Sequence, residues 1–190
     1  GSTEAWRHWD GDGEVSASCA KCHSDSGLPY FLEHGENEET PVANGLACNT
    51  CHTDISSGAA IREQKDVPFP SGITVSLGDN SNICLNCHQG RASMYSVNEK
   101  ISGSAGPYSF TNIHYFPTAA VYFGTEVKGG YEYAAKTYTR RSQFLSHEGN
   151  FDTCVECHMG IKGDDSNKHF SNRNHNVKKP NPVDCVFCHG

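Results

Sequence analysis

Cys19-Ala-Lys-Cys-His23 is one of five copies of a single pattern. The others are Cys48-Asn-Thr-Cys-His52, Cys84-Leu-Asn-Cys-His88, Cys154-Val-Glu-Cys-His158 and Cys185-Val-Phe-Cys-His189. All ten cysteines of the 190-residue chain fall in these pairs, and each second cysteine is followed at once by a histidine. With 11 histidines in the chain, random placement would produce that outcome with a probability on the order of one in a million.

The spacing selects the chemistry. Two cysteines three apart on one helical turn share a face, so both can form thioethers with the vinyl groups of one porphyrin, and the adjacent imidazole meets the iron. Zinc ribbons also use Cys-x-x-Cys, but they need the pairs in even number and have no use for five trailing histidines. Disulfides closed between cysteines three apart are strained and leave the histidines unexplained. The expected cofactors are therefore five c-type haems, held by Cys19, Cys22, Cys48, Cys51, Cys84, Cys87, Cys154, Cys157, Cys185 and Cys188. The iron ligands are His23, His52, His88, His158 and His189.

Composition agrees with a cofactor-built interior. Leu, Ile, Val and Phe together make 33 residues, about 17% of the chain, below the roughly 20% of an ordinary packed domain. Five haems leave 38 residues for each, too few to wrap them singly, so stacked haems are expected to form the core. A single domain over residues 1–190 is expected, mostly irregular and α, with short helices at the motifs and long loops broken by 19 Gly and 8 Pro. Between the third and fourth motifs, residues 95–144 hold 11 of the 19 aromatic residues, which suit porphyrin faces. Alternation around Gly129-Gly130 predicts a small β-hairpin over 121–138.

The net charge of −7 argues against nucleic acid as a partner, because displacing phosphate counterions needs excess Lys and Arg. Residues 1–95 carry net −8 and residues 96–190 net +1. The run Glu33, Glu36, Glu38 and Glu39 reads as a solvated loop that a neighbour's Lys178 and Lys179 could meet, and Asp10-Gly-Asp12-Gly-Glu14 as an acidic turn. No run of 18 apolar residues exists, so no membrane span is expected. In bacteria and archaea covalent haem attachment takes place outside the cytoplasmic membrane. A periplasmic or extracellular location follows, with an export leader that is not seen at Gly1.

A second axial ligand separates electron carriers from haem enzymes. Six histidines lie outside the motifs: His8, His34, His114, His147, His169 and His175. Five irons need five, so every haem can be bis-histidine, and His34, in the most acidic loop, is the expected spare. Electron transfer without substrate chemistry is the leading expectation. The alternative is a small reductase with one open iron position.

Trp6-Arg7-His8-Trp9-Asp10, Cys84-Leu-Asn-Cys-His-Gln-Gly-Arg91, His114-Tyr115 and Gly130-Tyr-Glu-Tyr133 resemble a group of exported bacterial and archaeal multihaem c-type cytochromes. The resemblance implies that His8, His114 and His147 are distal ligands, with His169 and His175 completing the set. Some similar cytochromes polymerise into extracellular filaments with haems continuous across subunits. The resemblance therefore implies redox proteins or extracellular acceptors as partners, and a head-to-tail homopolymer as an assembly.

Overall fold

The computed structural model describes residues 4–56, 60–103, 105–141, 153–160, 175 and 177–178. The chain divides into two compact units, Gly1–Gln64 and Lys65–Gly190. Among the described residues no helix is long and apolar enough to cross a membrane.

The first unit holds α1 (Glu4–Arg7), β1 (Glu14–Val15), α2 (Ala17–His23), α3 (Gly27–His34), β2 (Thr40–Pro41), α4 (Cys48–Cys51), β3 (His52–Asp54) and β4 (Ala60–Ile61). Short antiparallel pairs join β1 to β2 and β3 to β4. Helix α3 stops where Gly35 takes a left-handed φ of 74° and its N–H reaches the Phe31 carbonyl at 2.8 Å, a conformation that glycine adopts without steric cost. Helix α4 docks through a polar contact: the Thr50 hydroxyl donates to the Asp25 carbonyl at 2.9 Å and accepts from the Ala47 N–H at 3.1 Å. Among the described residues of this unit the buried apolar ones are Val15, Ala20 and Leu28, a small interior for four helices.

Helices α2 and α3 approach closely because Gly27 lacks a side chain, and a Cβ there would run into the Ala20 carbonyl. Gly27→Ala is expected to cost ~1–3 kcal/mol, the usual range for overpacking. Gly11→Ala, with open space around its Cβ, should stay within about 0.5 kcal/mol of wild type. Thermal unfolding of the two holoproteins checks the pair.

Before β2, Glu39 shares a hydrogen bond with Glu14, which together with the Glu14 charge and then desolvation raises its carboxyl above the ordinary range. A carboxyl raised on folding stabilises while protonated, and that contribution is lost as pH rises through the raised value. Glu39→Gln keeps a hydrogen-bonding side chain and removes the charge. The variant is expected to melt higher than wild type at pH 7 and level with it near pH 4. Equal melting curves at both pH values would contradict the shared proton.

The second unit has β5 (Val67–Pro68), β6 (Thr74–Val75), α5 (Asn82–His88), α6 (Met94–Ser102), α7 (Thr118–Phe123) and α8 (Cys154–His158). Strands β5 and β6 pair antiparallel, Val67 opposite Val75. Against them pack Leu85 of α5, Ala119, Ala120 and Phe123 of α7, and Val127, with the Phe69 and Phe123 rings edge-on at 5.6 Å. Buried Asn82 ties the hairpin to α5: its Oδ1 accepts from the Leu77 N–H at 2.8 Å, and its Nδ2 donates to the Lys65 carbonyl at 2.8 Å and to Ser76 Oγ at 3.0 Å. This unit therefore has an aliphatic and aromatic core of its own.

The hairpin predicted over 121–138 is not formed. Residues 118–123 are helix α7, which buries Ala119, Ala120 and Phe123 on one face and leaves Val121 exposed. That is a 3.6-residue period, and two alanines with Pro117 before them favour it over a strand. The following loop closes only at its base, through an isolated bridge between Gly124 and Arg140 and the Thr125 N–H donating to the Thr139 carbonyl at 3.0 Å. Gly124, at φ 56°, is needed there because a Cβ would strike the Thr139 carbonyl.

Candidate functional site

Four of the five motifs lie in the described residues, and each sits on a short helix. Cys19, Cys22 and His23 are on α2, Cys48 and Cys51 on α4, Cys84, Cys87 and His88 on α5, and Cys154, Cys157 and His158 on α8. Cys185, Cys188 and His189, with His147 and His169, lie outside the described residues. At α8, Thr153 donates its N–H and its hydroxyl to the Glu156 carboxylate at 3.0 and 3.1 Å, part of a Thr-x-x-Glu capping box. In α5, Leu85 between the two cysteines is fully buried while Cys84 and Cys87 are half-buried, so one face enters the core and the thiols face out of it.

None of the eight described cysteines is buried, and none forms a disulfide. Unmodified cysteine is among the most buried residue types, so this placement suits attachment to a group outside the polypeptide core. Burial pushes the Cys51 thiol up against the opposing pull of Arg62, and burial with the nearby Asp79 charge pushes up Cys154. Among the described residues no three His, Cys, Asp or Glu side chains converge as a metal cluster, as paired zinc ribbons would require.

The histidines supply the decisive geometry. His23 Nδ1 lies 2.9 Å from the Ala5 carbonyl, His88 Nδ1 3.0 Å from Phe116, and His158 Nδ1 2.8 Å from Val177. A carbonyl only accepts, so each Nδ1 carries the proton and the lone pair of each ring lies on Nε2, the nitrogen that could hold an iron. Indoles pack around the first of these rings, Trp9 at 5.2 Å and Trp6 at 6.2 Å between centroids. His52 is placed differently. It heads β3 in extended backbone at φ −111°, ψ 138°, opposite Ile61.

Of the remaining histidines, His8 follows α1 with its ring 4.8 Å from Trp9, and His114 stands at φ 82° beside Tyr115. His34 ends α3 against Tyr30 at 4.3 Å and Glu33 at 4.0 Å. His175 is exposed. Tyr115 and Phe116 are each 76% exposed and Phe110 88%, an apolar surface beside His114 and His88 that matches porphyrin faces. The orienting carbonyls of Ala5, Phe116 and Val177 escape sequence reading because every residue carries a carbonyl. Their one signal is position, two or three residues from a histidine outside the motifs.

A family model described as cytochrome c554 and c-prime matches residues 125–190. Two curated relatives, each a C-type polyheme cytochrome OmcB, come from Geobacter sulfurreducens strains DL-1/KN400 and ATCC 51573/DSM 12127/PCA. Both are 26% identical over 198 residues, covering 82% of this chain and 26% of the relative. The chain thus spans about a quarter of the length of these relatives. No solved structure matches. Repeated Cys-x-x-Cys-His helices, motif histidines with their protons on Nδ1, and these matches together make the chain similar to multihaem c-type cytochromes.

Proposed function

We propose that the chain transfers electrons along five covalently bound haems, each iron held between two histidines, in the periplasm or outside the cell. Haem supplies the one-electron couple at iron. The polypeptide sets its potential through axial ligands, burial and hydrogen bonds to the ligands. The observation that carries the reading is the hydrogen bond from Nδ1 of His23, His88 and His158 to a backbone carbonyl, which fixes the tautomer and ring orientation an axial ligand needs.

Six histidines outside the motifs against five irons favour closed, low-spin iron over a reductase with an open position. A pyridine haemochrome assay is expected to count five haems per chain, with five tetrapyrrole additions in the intact mass. Ferric spectra should be low-spin throughout and unchanged by cyanide or nitrite. A markedly smaller haem count overturns the five-haem reading, and binding of either anion to a high-spin iron turns the assignment to the reductase.

A further inference from the structure

Each of the three orienting carbonyls belongs to a segment that also carries a histidine outside the motifs. Ala5, behind His23, lies three residues before His8; Phe116, behind His88, two after His114; Val177, behind His158, two after His175. We infer that these segments are shared between haems: His8, His114 and His175 each ligate the iron of a haem other than the one attached beside the proximal histidine their own backbone holds. The inference rests on the haem-binding reading above and adds the ligand pairing that motif spacing leaves open.

The argument is one of reach. Nδ1 and Nε2 sit on different sides of the imidazole, so a carbonyl at Nδ1 marks the side of the ring remote from the metal. A sixth ligand must instead arrive from the opposite face of the macrocycle. Helix α1 spans Glu4–Arg7, and at a rise of ~1.5 Å per residue His8 stays within about 5 Å of Ala5 along the axis. Two residues of extended chain span at most ~7 Å, which bounds His114 and His175. Segments this short cannot pass the proximal ring, turn the porphyrin rim and return to the same iron. The hydrogen bond that orients one histidine therefore excludes its sequence neighbour from that site.

An independent observation agrees at His114. An open cavity of about 460 Å³ is bordered by His114, Arg91, Lys100 and Phe110, and none of Cys84, Cys87 or His88 lines it. The space beside His114 is thus lined by none of the side chains with which the third motif would hold its own haem. The Arg91 guanidinium suits a haem carboxylate and the Phe110 ring a porphyrin face. Lys100 is already held by the Ser109 carbonyl, Ser109 Oγ and Thr111 Oγ1 at 3.1, 3.3 and 2.8 Å, which stiffens the cavity wall. A two- or three-residue peptide that ligates one iron and orients the ligand of another fixes the separation of the two centres, the quantity on which electron hopping depends most steeply.

The test counts high-spin iron. His8→Gly, His114→Gly and His175→Gly holoproteins should each keep five haems by pyridine haemochrome and each show one high-spin ferric haem by EPR and magnetic circular dichroism. In a Cys84→Ser/Cys87→Ser background, which lacks the third haem, adding His114→Gly should still create one new high-spin iron. The same holds for His175→Gly in a Cys154→Ser/Cys157→Ser background, which lacks the fourth. No new high-spin signal in these backgrounds overturns the inference, as does a single variant that leaves all five irons low-spin. Where a background fails to accumulate, a cryo-EM or crystal structure of the wild-type holoprotein reads the donors directly, and His8 on the iron of the first motif overturns it. Absence of haem altogether would sink the underlying reading instead, so the two failures are distinguishable.

Discussion

Made without haem, in a host lacking the attachment machinery, the chain is expected to lose the cooperative melting transition of its first unit, a loss of the order of the whole ~5 kcal/mol or more that stabilises a small domain. The reason lies in what residues 4–56 bury. Val15, Ala20 and Leu28 are the buried apolar side chains there, far less than the entropy of ordering some fifty residues demands. Polar ties such as Thr50 to Asp25 contribute only about 1 kcal/mol each. On the proposed attachment to α2 and α4, haem supplies the remainder, because a ligand that binds only the folded chain stabilises it, and a covalent one cannot dissociate. Circular dichroism during heating, with hydrogen exchange resolved along the sequence, checks this. A sharp transition with protected amides in α2 and α3 of the haem-free chain would contradict it.

The parts of this architecture that were legible in the sequence are those set by covalent spacing. Two sulfurs that meet one porphyrin need one helical turn, so Cys19–His23 and its described repeats read as short helices, and they are. Even there the second motif departs. Helix α4 ends at Cys51 and His52 begins a strand, because Arg62 donates its N–H to the Cys51 carbonyl at 2.8 Å and its Nε–H to the Asn49 carbonyl at 2.9 Å, contacts no local pattern announces. The misread hairpin has a similar cause. Val121, Tyr122 and Phe123 are residue types that strands favour, but the environment that decides between periods 2 and 3.6 is Phe69, Val67 and Leu85, which arrive from more than thirty residues upstream.

The core of the second unit was likewise invisible to composition. A low aliphatic fraction averaged over the chain conceals its concentration in Val67, Phe69, Leu85, Phe123 and Val127. The expectation that haems supply the interior therefore applies with more force to the first unit than to the second. Anchors such as Ser81, whose Oγ accepts from the Val155 N–H at 3.0 Å and so joins the start of α8 to the start of α5, link motifs 70 residues apart. No periodicity encodes a contact of that range.

That asymmetry separates the effects of deleting single haems. Cys19→Ser/Cys22→Ser removes the porphyrin from α2, which buries only Ala20, and is expected to expose the amides of α2, α3 and β1 to exchange at rates near those of an unfolded chain. Cys84→Ser/Cys87→Ser removes one haem from α5, yet Leu85, Ile83 and Asn82 remain buried on the opposite face. Helix α5 should then stay protected, with stability lowered but cooperativity kept. Leu85→Ala reverses the pattern: haem attachment should be as complete as in wild type, while the emptied core site costs ~2–5 kcal/mol. Hydrogen exchange and haem counting on these three variants distinguish a unit that porphyrin folds from a unit that merely carries it. Equal loss of protection in α2 and α5 on removing their own haems would show that the aliphatic cluster around Leu85 does not stand without its cofactor.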